Sequence, residues 1–128
     1  MIILDTDIMI DVLRGYKPAL AWFETVREEV IGLPGFVIME LLQGCGTKSE
    51  QSKLLRQLEH FPILWPSPED CTEALHHFAM LRLSHNIGVL DVLIGRIASS
   101  MELPLYTFNE KHYQGIPGLQ TVQPYKKS

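Results

Sequence analysis

Short apolar runs alternate with longer amphipathic stretches along this chain, and that alternation is its main structural signal. Met1-Ile2-Ile3-Leu4 is a continuous apolar run closed by Asp5-Thr6-Asp7, the pattern of a strand buried on both faces that opens into a helix. Asp7 is the expected N-cap of that helix, Ile8, Met9, Ile10, Val12 and Leu13 make it mostly apolar, and Gly15 stops it. Lys17-Pro18 predicts a second helix, with Leu20, Trp22, Phe23, Val26 and Val30 on one face and Glu24, Arg27, Glu28 and Glu29 on the other. Val30 to Leu33 reads as a short strand, followed by a turn at Pro34 into a helix carrying Val37 to Leu42. Ser49 is the expected cap of a helix from Glu50 to His60. Ile63-Leu64-Trp65 predicts the next strand, Glu69 to His85 a long helix, and Val89 to Met101 another. Leu103 to Thr107 predicts a strand, Asn109 to Tyr113 a loop or helical turn, and Leu119 to Val122 a last short strand.

Strands separated by helices imply a short parallel sheet with right-handed crossovers, covered on both faces. The expected architecture is therefore α/β, a three-layer α/β/α domain spanning residues 1–128 as one unit. In such a domain the C-terminal ends of the strands share one edge, and ligands bind in the crevice outside it. The composition agrees: 128 residues with 46% hydrophobic and 20% charged positions suit one core that needs no disulfide or structural metal. Cys45 and Cys71 are too few and too far apart for a zinc knuckle or a redox pair, and they fit a reducing compartment. His76, His77, His85 and His112 lack the spacing of a zinc site. No basic leader precedes the first acid and no apolar run reaches about 18 residues, so a cytoplasmic protein with no membrane partner is expected.

Charge sets the next constraint. With 11 Lys and Arg against 15 Asp and Glu, the net charge is -4, which excludes nucleic-acid binding through a broad basic surface alone. A metal or a partner would have to supply the missing positive charge. Asp5 ends the first predicted strand and Thr107-Phe108-Asn109 ends a later one, so both face the same crevice. Glu40 and Asp91 are each isolated carboxylates inside otherwise apolar helices. An unpaired buried charge costs several kcal/mol, and one shared cation would relieve all three acids. Asp5, Glu40 and Asp91 are thus candidate oxygen ligands for Mg²⁺ or Mn²⁺. Each acid also has a structural explanation, since Asp91 follows Gly88 closely enough to offset a helix dipole.

Four segments taken in order carry a resemblance: Leu4-Asp5-Thr6-Asp7, Met39-Glu40-Leu41-Leu42, Leu90-Asp91-Val92-Leu93-Ile94, and Leu105 to Asn109 with Lys111-His112-Tyr113. Together they resemble the PIN domain, in particular the VapC-type toxin ribonucleases of toxin-antitoxin pairs. That resemblance implies a Mg²⁺-dependent endoribonuclease, with Mn²⁺ able to substitute, which acts on an RNA substrate. It implies a homodimer inhibited by a cognate antitoxin, for which the apolar helices around Trp22, Phe23, Leu54 and Leu58 are either candidate grooves or ordinary core. By the same resemblance Asp5 and Asp91 are the principal metal ligands, while Glu40 completes the cluster or helps deprotonate the attacking water. The chain departs from the fullest family pattern at Asn109, which stands where an aspartate is usual. One firmly held ion is therefore expected, with two-metal chemistry open.

Thr6 and Thr107 are candidates to orient a carboxylate or water, and Arg14, Arg96, Lys111 and His112 to contact RNA. Arg96 has an alternative in pairing with Glu102 or another acid, and Asp11 is expected to face solvent beside Arg14. Two further functions stay open at this stage. One is a catalytically weak PIN-fold protein that only binds a partner. The other is a phosphatase of the haloacid-dehalogenase type, with Asp5 as nucleophile and Asp7 as acid and base, although no later lysine and acidic pair completes that pattern.

Overall fold

The computed structural model describes residues 1–127. Five strands, β1 (Ile2–Leu4), β2 (Ile31–Pro34), β3 (Ile63–Leu64), β4 (Leu105–Tyr106) and β5 (Thr121–Val122), form one sheet in the order β3-β2-β1-β4-β5. Every pairing is parallel, with Ile3 opposite both Gly32 and Leu105. The helices are α1 (Thr6–Leu13), α2 (Lys17–Thr25), α3 (Gly35–Gln43), α4 (Lys48–Leu58), α5 (Pro68–Leu81), α6 (Val89–Met101) and α7 (Glu110–Tyr113). This is the α/β architecture expected from the alternation of runs.

The central strand explains the apolar start of the sequence. β1 is flanked by β2 and β4, and Ile3 and Leu4 are completely buried, as a strand covered on both faces requires. Around it pack Ile8 and Met9 of α1, Val37 and Leu41 of α3, and Val92, Ile94 and Ile97 of α6. Pairing continues one residue past the ends of the central strands. The Asp5 N–H donates to the Tyr106 carbonyl at 3.0 Å and the Thr107 N–H to Val122 at 3.0 Å, which sets Asp5 and Thr107 side by side at the C-terminal edge.

Several local expectations need correction. Asp5, not Asp7, is the N-cap of α1: its backbone is extended and its carboxylate accepts the Thr6 N–H at 2.8 Å. The turn expected after Pro34 is absent, because α3 begins at Gly35 with no intervening residue. The Trp65 indole lies where a Gly35 side chain would be, 2.1 Å from an ideal Cβ, so only glycine fits this junction. Thr47, not Ser49, caps α4 by accepting the Glu50 N–H at 3.1 Å, while the Glu50 carboxylate reaches back to the Gly46 N–H at 2.9 Å. The long helix predicted to His85 stops at Leu81. Arg96 does pair with an acid, and the partner is Asp70 at 3.1 Å, not Glu102. Asp11 is turned away from solvent, accepting the Tyr125 hydroxyl at 2.7 Å and the Lys127 ammonium at 3.0 Å.

Candidate active site

Asp5 is the most constrained acid in the molecule. It is 5% exposed, yet all of its contacts are donors to its carboxylate: the Thr6 N–H on Oδ1 at 2.8 Å, and the Thr107 and Tyr113 hydroxyls on Oδ2 at 2.9 and 2.8 Å. Burial raises its pKa, the three donors pull it back, and Asp91 pushes it up again. Thr107 is fully buried and also accepts the Asn109 N–H at 3.0 Å. A continuous hydrogen-bonded path therefore runs from the Asn109 backbone through Thr107 to Asp5.

Glu40 and Asp91 reach the same neighbourhood from two other helices. Glu40, on α3, accepts the Thr6 hydroxyl at 3.0 Å, which ties it to the first turn of α1. Its pKa is raised by burial and then by the charges of Asp5 and Asp91, against the Thr6 hydrogen bond. Asp91 stands in the first turn of α6, where its carboxylate accepts the Gly88 N–H at 2.9 Å and lies 3.8 Å from His112 Nδ1. The dipole explanation for Asp91 is thus structurally present, and so is its electrostatic coupling to the other two acids.

Asp7 does something the sequence did not suggest. One oxygen accepts the Ile8 N–H and the other the Phe108 N–H, both at 2.8 Å, so it clamps the loop after β4 onto α1. Burial and the nearby Asp5 raise its pKa to about 6, against the two backbone donors and Lys127. Both oxygens are occupied by backbone donors, which suits a structural clamp better than an acid-base group. The same loop is held from outside by a C-terminal strap: the Tyr125 ring packs edge-on against Phe108 at 4.9 Å, and the Lys127 ammonium lies 4.4 Å from the Phe108 ring centre.

The remaining candidates divide by location. Arg14 is exposed and lines a 280 Å³ groove together with Glu40, Ile10, Leu13 and Leu54. Asn109, Lys111 and His112 line a 420 Å³ recess with Phe108 and Gln123. Arg96 is engaged with Asp70 instead. Leu54 and Leu58 belong to the core, whereas Trp22 sits in an aromatic cluster with Phe23, Tyr106 and Tyr125. Tyr113 is the residue that sequence reasoning passed over. Its signal was an aromatic ring with a polar handle a few residues after a strand-end threonine, in a position apolar enough to be core.

The donor set fits a hard divalent ion. Asp5, Glu40 and Asp91 offer oxygen, and their fields act on one another rather than on a neighbouring Lys or Arg. Among the described residues, no three His, Cys, Asp or Glu side chains are gathered closely enough to hold a metal ion between them. Mg²⁺ does not require three, since it usually takes one or two carboxylates and keeps several waters.

A family model described as the PIN domain matches residues 2–115. The chain belongs to the PIN domain family. Within it, the chain is 30% identical over 126 residues to Ribonuclease VapC10 of Mycobacterium tuberculosis, covering 97% of this chain and 92% of the relative. A toxin-antitoxin complex from Klebsiella pneumoniae superposes with a TM-score of 0.74 at 26% identity, over 99% of this chain and 100% of the other. VapBC2 from Rickettsia felis, solved on a DNA fragment from its promoter, gives 0.73 at 27% identity, over 95% of this chain and 98% of the other. VapBC-1 from nontypeable Haemophilus influenzae gives 0.77 at 22% identity, over 95% and 97% of the two chains, which supports the shared PIN fold. Asp5, at the end of β1, and Asp91, in the first turn of α6, both lie inside the matched PIN segment. Among the described residues of this PIN domain, no helix is long and apolar enough to cross a membrane.

Proposed function

We propose that this PIN domain is a divalent-metal-dependent endoribonuclease of the VapC toxin kind, hydrolysing RNA phosphodiester bonds and held in check by an antitoxin. One observation carries the reading: three acids from β1, α3 and α6 share one electrostatic field at the C-terminal edge of the sheet, each explained only in part by protein donors. Asp5 and Asp91 would hold the ion, Mg²⁺ with Mn²⁺ as a substitute, with Glu40 completing the set. When bound, such an ion lowers the pKa of a coordinated water and neutralises charge on phosphate oxygens.

The protein's own part is positioning. The Thr6 hydroxyl fixes Glu40, which leaves that half-buried carboxylate at the rim to orient a water and take its proton. Its raised pKa makes it a better proton acceptor than an exposed glutamate. Thr107 and Tyr113 fix Asp5 through its Oδ2. Lys111, His112 and Asn109, which line one recess, would hold the RNA backbone, as would Arg14 at the groove beside Glu40. With Asn109 in the place of a fourth acid, one ion is expected to be held firmly.

The antitoxin partner follows from the VapBC complexes that superpose on this chain and from the groove itself. Its apolar walls, Ile10, Leu13, Leu41 and Leu54, open onto Glu40, so a partner segment could seat apolar side chains and present a cation to the acids. A homodimer and a cytoplasmic site of action complete the reading.

Cleavage of a mixed RNA pool by purified protein in Mg²⁺, Mn²⁺ or EDTA, with Asp5→Asn and Asp91→Asn variants, tests it. Metal-dependent cutting lost in both folded variants is the expected result. A well-folded wild type that cuts nothing in any metal would overturn the enzyme reading and leave a partner-binding PIN domain.

A further inference from the structure

The hydrogen bonds around Asp5 do more than hold it still. A carboxylate has about four lone-pair positions. On Asp5, Thr6 occupies one on Oδ1, while Thr107 and Tyr113 occupy both on Oδ2. A single position on Oδ1 is left for anything else. We infer that Tyr113, together with Thr107, restricts Asp5 to one-oxygen ligation and so makes the site select a small octahedral cation, Mg²⁺ or Mn²⁺, over Ca²⁺. The inference rests on the metal-dependent reading above.

The chemistry behind it is coordination number. Mg²⁺ demands near-ideal octahedral geometry and accepts one oxygen from each carboxylate, whereas Ca²⁺ takes six to eight oxygens and often gathers two from one carboxylate. A carboxylate with one free position serves the first ion fully and the second poorly. The two hydroxyls cannot be moved aside cheaply. Tyr113 is 3% exposed, and its ring lies against the bare backbone of α6, with Cδ1 3.3 Å from where a Gly95 Cβ would stand. Thr107 is fully buried and accepts the Asn109 N–H, which leaves its own proton for Asp5. Tyr113 is thus a positioning residue, acting on the ion only through Asp5.

Binding of each metal alone, Mg²⁺, Mn²⁺ and Ca²⁺, to the purified protein by calorimetry tests this without any RNA. Tyr113→Phe frees a position on Oδ2, and the ratio of Ca²⁺ to Mg²⁺ affinity should rise by about tenfold, the scale on which residues behind a ligand act. Thr107→Val frees the other position and should shift the ratio in the same direction, serving as the test if the tyrosine variant does not fold. Thr107→Ser keeps the donor and should keep the wild-type ratio. Equal loss of Mg²⁺ and Ca²⁺ affinity in folded Tyr113→Phe or Thr107→Val would overturn the inference while leaving the metal site standing. A wild type that binds neither Mg²⁺ nor Mn²⁺ would overturn the metal reading and this inference with it.

Discussion

Thr107 and Asp5, separated by 102 positions in the sequence, meet hydroxyl to carboxylate at 2.9 Å in the buried seam between β4 and β1. Thr107→Val keeps the shape and removes the donor, leaving a buried carboxylate one partner short and the Asn109 N–H without its acceptor. The expected loss of folding stability is roughly 1–3 kcal/mol, read from urea unfolding. Thr107→Ser should recover most of it, and an unchanged midpoint for the valine variant would show that the seam does not depend on this bond.

Asp91→Asn separates fold from chemistry. The amide keeps an oxygen for the Gly88 N–H but removes one of the charges that repel Asp5 and Glu40. Melting temperature should stay equal or rise, while RNA cutting falls by more than about 100-fold, beyond the effect typical of residues one layer behind a ligand. Circular dichroism melts beside single-turnover cleavage decide it, and retained cutting would remove Asp91 from the metal set.

Much of this was legible in the sequence, for a physical reason. Continuous apolar runs such as Ile2-Ile3-Leu4 and isolated acids such as Glu40 among Met39, Leu41 and Leu42 are signals of burial, and burial decided both the sheet and the candidate site. Caps were harder, because Asp5 and Asp7 both satisfy the same local preference and only the long-range bond from Phe108 assigns them. The roles of Tyr113 and of Asp11 were hidden for the same reason. Their partners, Asp5 and Tyr125, lie more than a hundred residues away, and no local pattern announces such a pair.

Stability should fall as pH rises through the weakly acidic range. The Asp7 carboxyl goes from 3.8 when unfolded to about 6 when folded, so between those values the folded state holds the extra proton. That contribution is complete below about pH 4, is lost as pH passes about 6, and is gone by neutrality. Asp5 and Glu40 are raised as well and act in the same sense. Between pH 4.5 and 7.5 Asp7 alone should account for roughly 2 kcal/mol. Urea midpoints of wild type and Asp7→Asn at the two pH values should show a flatter dependence in the variant.

The C-terminal strap should support the loop through Tyr125. Tyr125→Phe removes its hydroxyl from Asp11 but keeps the ring on Phe108. A loss of about 1 kcal/mol in stability is expected. Tyr125→Ala removes the ring too and should speed hydrogen exchange at the Phe108 N–H, which the Asp7 carboxylate holds at 2.8 Å. Unchanged exchange in the alanine variant would show that the Asp7 clamp alone fixes the loop.

The long-range bonds to Asp5 also set a clock during synthesis. Asp5 leaves the ribosome early, but the hydroxyl of Tyr113 follows 108 positions later. At about 5–20 residues per second that interval is roughly 5–20 seconds. A nascent chain that has reached Met101 already contains Asp5, Glu40 and Asp91, yet it lacks β4, Thr107 and Tyr113, and with them two of the donors that hold the first acid in place. Order of translation therefore withholds two of the three donors to Asp5 until residue 113 has been made.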